Sequence, residues 1–159
     1  MITSVDTNIL LDILSHDPEF FEQSANLLQQ HSNLGGIVIC PVIYSELLVF
    51  FLKKHGMPKA ESMLIQFLTD FDIKIIDFSR NDFSLAAEAW RKIDGGKVMC
   101  PKCGVPNTFN CAKCKVPIFW RNHIIADFLI GAHSQNHSEI LLTRDKAYYR
   151  KYFSVKTLP

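Results

Sequence analysis

The chain has 159 residues, 48% hydrophobic and 21% charged, with a formal net charge of only +1. That is enough chain for one domain around one core, and too apolar for a disordered segment. No apolar run reaches the ~18 residues of a membrane span and the amino terminus lacks a secretory pattern, so a cytosolic protein without a membrane partner is expected.

Residues 2–5 (ITSV) predict a short buried strand ending on Asp6, and 8–15 (NILLDILS) predict a helix with Asp12 on its solvated edge. Pro18 suits a helix start, and 20–30 carry apolar residues at roughly a 3.6-residue period. Gly35 and Gly36 break this segment and introduce a strand over 36–40, whose Cys40 reads as a buried structural thiol. Pro41 opens a helix through Leu52 that carries Glu46 and stops near Gly56. Another helix follows Pro58, with Met63, Leu64, Phe67 and Leu68 as its apolar face. The β-branched IKII at 73–76 predicts a strand. Ser79, with Asp82 three residues on, forms a capping pair ahead of a helix over 81–93. Beyond an insertion at 95–120, residues 123–135 predict a helix carrying Asp127. A strand over 139–143, a helix over 145–153 that begins on Asp145, and a strand over 154–158 complete the chain.

Strand and helix alternate with short connections, so the expected class is α/β with a mainly parallel sheet covered on both faces. Ligand sites in such sheets gather beyond the carboxyl ends of the strands. Asp6 and Asp145 fall there, Glu46 lies about a turn into the helix after another strand, and Asp127 must face the same crevice from its own helix. Four carboxylates beside apolar runs, without matching basic residues nearby, call for a divalent cation. Hard oxygen ligands suit Mg²⁺ or Mn²⁺.

The insertion carries different chemistry. Cys100, Cys103, Cys111 and Cys114 form C-x2-C-x7-C-x2-C, a pattern that lets four thiolates converge tetrahedrally on Zn²⁺. Four protein ligands leave no open coordination position, so this zinc is structural; two disulfides are the alternative in an oxidising compartment. Pro101 and Gly104 favour the tight turn of the first pair, whereas Lys115 stands where a glycine is expected after the second. Residues 91–123 hold seven Lys and Arg against Asp94 alone, and 144–156 hold five against Asp145. Such clustering attracts a polyanion, with a solvated basic surface as the plainer reading. Phe109, Phe119 and Trp120 fit the small core of a zinc module better than they fit base-stacking positions.

VDTNILLDIL at the start, YSEL around Glu46, IIADFLIGAHS and LLTRDKAYYRKYF follow one another across nearly the whole chain outside 95–120. Together they resemble a PIN-domain nuclease, in particular a VapC-type toxin of a type II toxin–antitoxin pair. The resemblance implies a PIN-like three-layer fold, one domain over 1–159 with the zinc module of 95–120 inserted. It further implies that Asp6, Glu46, Asp127 and Asp145 are catalytic and hold one or two Mg²⁺ or Mn²⁺ ions. The activity implied is metal-dependent hydrolysis of RNA by a toxin that forms a homodimer and is silenced by a cognate antitoxin.

Asn8 and Thr143 flank these positions and can bind waters or phosphate, or else cap a helix and close a strand end. Arg144, Lys146 and Arg150 can position phosphate or pair with exposed carboxylates. His133 and His137, without an HExxH motif, read as packing or surface residues, and His123 as a helix-start residue. Two other functions fit the same residues. One is a noncatalytic RNA-binding module using the basic insertion; the other is a housekeeping RNA-processing or DNA-structure-specific nuclease.

Overall fold

Five short strands form one parallel sheet, and their order fixes where a ligand can sit. The computed structural model describes residues 1–92, 98–99, 106–107, 109–118 and 126–159. β1 (Ile2–Val5) leads through α1 (Thr7–Ser15) and α2 (Phe21–Leu34) to β2 (Gly36–Ile39). α3 (Pro41–Leu52) and α4 (Met57–Asp70) then lead to β3 (Ile73–Ile75), and α5 (Arg80–Arg91) follows. After the insertion come α6 (Ala126–His137), β8 (Ile140–Leu142), α7 (Lys146–Tyr152) and β9 (Lys156–Leu158). The sheet order is β3-β2-β1-β8-β9. The chain thus builds outward from β1 to one edge, then returns to add β8 and β9 on the other side. The reversal lies between β1 and β8, where a doubly wound sheet opens a crevice at the strands' carboxyl ends.

β2 (GIVI) and β8 (ILL) are apolar runs, as suits strands of a sheet flanked by helices. Val5, Ile37, Ile39, Leu141 and Leu142 are buried in one core with Ile9, Leu10, Leu64, Phe128 and Ile130 from the helices. The α2 helix ends at Gly35, as expected, and in its last turn His31 faces inward, its ring nitrogen 3.1 Å from the Thr3 hydroxyl.

Three polar ties hold α6 in place. The expected capping box forms: Ser79 receives the Asp82 amide and Asp82 receives the Ser79 amide. Asp82 is fully buried and also accepts hydrogen bonds from Asn136 and His137 at the far end of α6. Burial pushes its carboxyl up, but the bonds from Asn136, Ser79 and His137 outweigh this and hold it below its ordinary range. His133, buried as expected for a packing residue, sits with Nε2 2.9 Å from the Ile76 carbonyl. Gly131 is where α7 meets α6: a Cβ there would stand 2.3 Å from the Phe153 ring.

Between α5 and α6, β4 (Val98–Met99) pairs antiparallel with β5 (Pro106–Asn107), and β6 (Phe109–Asn110) with β7 (Pro117–Ile118). Cys111 and Cys114 lie in the turn between β6 and β7. Cys100, Cys103, Phe119, Trp120 and His123 lie outside the described residues. No helix among the described residues is long and apolar enough to cross a membrane.

Candidate active site

The register of β1 on β8 sets the first contact. Val5 pairs with Leu142, so the next residues, Asp6 and Thr143, emerge side by side at the switch point. Thr143 donates to Asp6 Oδ2 at 2.6 Å and accepts the Asp145 amide at 3.0 Å. One hydroxyl therefore links the two acids. Asp6 leaves its strand in extended conformation and caps α1, with Oδ1 accepting from the Thr7 amide at 2.8 Å. Asn8 Nδ2 donates to the same Oδ2 as Thr143, at 2.6 Å, while Asn8 Oδ1 receives the Arg144 amide. Asn8 and Thr143 thus act as supports for Asp6.

Asp6, Glu46, Asp127 and Asp145 line one cavity of about 250 Å³, together with Thr7, Asn8, Leu11 and Tyr149. Glu46 projects from α3 and is anchored by the Thr7 hydroxyl, which donates to Oε2. Asp127 enters in the first turn of α6, where the helix dipole favours a negative charge. Asp145 caps α7 by accepting the Tyr148 amide.

Charge is concentrated here without local compensation. Burial first, then the charges of Asp127 and Glu46, push the Asp6 carboxyl up to about 6, against the pull of the Thr143 and Thr7 hydrogen bonds. Burial, followed by the charges of Glu46 and Asp145, also raises Asp127. Among the described residues, neither ion pair involves a pocket acid: Arg144 pairs with Asp12, and His137 with Asp82. The four acids share a cavity without closing on one point, since among the described residues no three His, Cys, Asp or Glu form a ready ligand sphere. The donor set is nonetheless all oxygen, with two carboxyls raised by crowding and burial. That chemistry fits a hard divalent cation.

Two expectations from sequence change. Asp12 is not on a solvated edge: it is 2% exposed, accepting from Ser24 Oγ at 2.7 Å and from Arg144 Nη2 at 2.9 Å. Arg144 thus takes the carboxylate-pairing role open to it, with a buried rather than an exposed partner, and its guanidinium also lies 4.3 Å from the centroid of the Phe20 ring. Arg150 binds the Thr157 hydroxyl and carbonyl, tying α7 to β9. Sequence reading missed Thr7 and Tyr149. The first is signalled only by a hydroxyl next to Asp6, the second by lying one helical turn after Asp145.

In the insertion, the Lys115 amide returns to the Cys111 carbonyl and the Cys111 amide to the Val116 carbonyl, both at 2.9 Å. Lys115 adopts φ 60°, the left-handed conformation that made a glycine the expected residue there. Backbone amides of Cys114 and Lys113, then the Cys114 side chain, pull the Cys111 thiol below its ordinary value. Among the described residues, Cys111 and Cys114 are free thiols.

A family model described as PIN domain matches residues 4–154. No curated protein matches the chain by sequence. Among solved structures, VapBC2 from Rickettsia felis bound to a DNA fragment from their promoter contains a chain with TM-score 0.65 and 19% identity, with 99% of this chain and 98% of that one covered. VapBC-1 from nontypeable Haemophilus influenzae gives 0.65 at 14% identity, covering 99% and 97%. DNA-bound VapBC from Salmonella typhimurium gives 0.59 at 11%, again covering 99% and 97%. At these identities the likeness is one of fold.

Proposed function

The chain belongs to the PIN-domain family, and on that premise we propose that it is a metal-dependent endoribonuclease acting in the cytosol as the toxin of a type II toxin–antitoxin pair. One observation carries the chemistry: four carboxylates from four separate segments line a single cavity, and none has a basic partner among the described residues. Asp6, Glu46, Asp127 and Asp145 would hold Mg²⁺ or Mn²⁺. The cation supplies the positive charge that activates water and stabilises a phosphodiester as it is hydrolysed.

The chain's own groups do the rest. Thr143 and Asn8 hold Asp6 by one oxygen, and the Thr7 amide holds the other, so its orientation is set before any ligand arrives. Glu46, tied through Oε2 to Thr7, keeps Oε1 to take a proton from attacking water. Asp145, fixed through its cap, completes the acidic wall. The basic stretches at 91–123 and 144–156 suit a polyanionic substrate, and the resemblance makes RNA that substrate. An antitoxin partner and a homodimer are in keeping with the resemblance, and the structural neighbours are named as VapBC pairs.

We read 1–159 as one PIN domain with an inserted module at 95–120, in which Cys100, Cys103, Cys111 and Cys114 bind structural Zn²⁺. The amide-lined turn at Cys111–Cys114 supports this, because such amides stabilise thiolate. Metal analysis of the purified chain should find zinc, lost in Cys111→Ser with Cys114→Ser; zinc-free wild type would remove the module's metal.

The deciding experiment incubates purified chain with labelled RNA and Mg²⁺ or Mn²⁺, beside Asp6→Asn and Asp127→Asn. Cleavage by wild type alone is expected. Persistent cleavage in both variants would defeat the assignment. RNA binding without turnover would favour the noncatalytic module, and cleavage of structured DNA alone the DNA-directed nuclease.

A further inference from the structure

Tyr149 lines the acidic pocket, yet the chemistry above gives it nothing to do. Its side chain is 1% exposed, and its hydroxyl has no hydrogen-bond partner among the described residues. An unpaired buried hydroxyl is costly, so a group kept in that state invites a search for its missing acceptor. Asp127 is the complementary case. It is partly buried in the same cavity, and its carboxylate makes no hydrogen bond among the described residues. Asp6 has less need of a donor, since its oxygens already receive Thr7, Asn8 and Thr143. A phenol is protonated at neutral pH and so able to donate.

We propose that Tyr149 is a positioning residue of this site: its hydroxyl donates a hydrogen bond to the Asp127 carboxylate when that carboxylate turns onto a divalent cation. The bond fixes which Asp127 oxygen faces the cation and is made only in the loaded site. The inference rests on the metal-dependent reading of the pocket. Outer hydrogen bonds of this kind change metal affinity by about 10–100-fold when removed.

Tyr148 supplies the control. Its hydroxyl is also buried and without a partner among the described residues, but it does not line the cavity. Mn²⁺ is titrated by calorimetry into the full-length wild type, Tyr149→Phe and Tyr148→Phe, and each is melted without added Mn²⁺. Tyr149→Phe should bind Mn²⁺ about 10–100-fold more weakly while melting at or above the wild-type temperature, and Tyr148→Phe should keep wild-type affinity. Equal Mn²⁺ affinity in Tyr149→Phe overturns the proposal. So does weaker binding accompanied by a lower melting temperature, or an equal loss in Tyr148→Phe. A wild type that takes up no Mn²⁺ sinks the nuclease reading itself and this inference with it, a result distinct from equal binding by all three.

Discussion

Replacing Asp6 by asparagine should change how the cation-free protein responds to pH. The Asp6 carboxyl rises from 3.8 to about 6 in the fold, chiefly because it is buried, with only 6% of the residue exposed. A carboxyl raised by folding stabilises the fold while protonated. Its contribution is complete below the unfolded value, declines as pH climbs through the folded value, and is gone above it. The displacement of roughly two pH units corresponds to about 3 kcal/mol across the whole window. Between about pH 7.5 and about pH 4.5, some 2 kcal/mol of that returns. The substituted amide does not titrate, and the hydrogen bonds it forfeits shift the curve by a nearly constant amount. Urea unfolding of wild type and Asp6→Asn over this range, without divalent cation, should give a stability difference that moves by about 2 kcal/mol in favour of wild type toward acid. Saturating Mn²⁺ should flatten the wild-type slope, since a bound cation keeps Asp6 ionised. Parallel curves for the two proteins would refute the claim that this carboxylate is desolvated and crowded.

Gly131→Ala gains helix propensity but drives a methyl into the Phe153 ring, and a net loss of about 1–2 kcal/mol is expected by denaturant titration. An equally stable variant would mean that the α6–α7 contact yields easily. Arg144→Ala leaves the buried Asp12 with Ser24 alone and should cost about 1–3 kcal/mol, discounted because the guanidinium is partly exposed. Adding Asp12→Asn should recover part of this loss; a further drop would show that the charge pair was not what Arg144 supported. Thr7→Val frees Glu46 and should lower metal-dependent RNA cleavage about 10-fold or more with little change in melting temperature, whereas unchanged cleavage would remove Thr7 from the site.

The order of strands and helices was legible because each element carries its own local signature. Pro41 opens α3, the Ser79–Asp82 pair opens α5, and Gly35 closes α2. The meeting of Asp6 with Asp145 was legible too, because a parallel sheet that reverses beside its first strand sends both strand ends to one crevice. Asp12 was not. Its partners are Ser24 on a different helix and Arg144 at the other end of the chain, and no local pattern announces such a closure. Arg150 was misjudged for the same reason: a surface arginine and a strap across to Thr157 look alike until β9 is placed beside β8. Lys115 carries a subtler lesson. A residue whose side chain disfavours the left-handed region can still adopt it when two backbone hydrogen bonds close the turn around it.

Two of the pocket's acids, Asp6 and Asp145, also begin the helices that follow them. Damage at either position is therefore pleiotropic. A substitution scan scored by cellular abundance would flag both as folding determinants and hide the reactive duty proposed for them, while one scored by growth arrest would do the reverse. Only an isosteric amide, which can still receive a main-chain N–H, separates the two demands made on the same atoms.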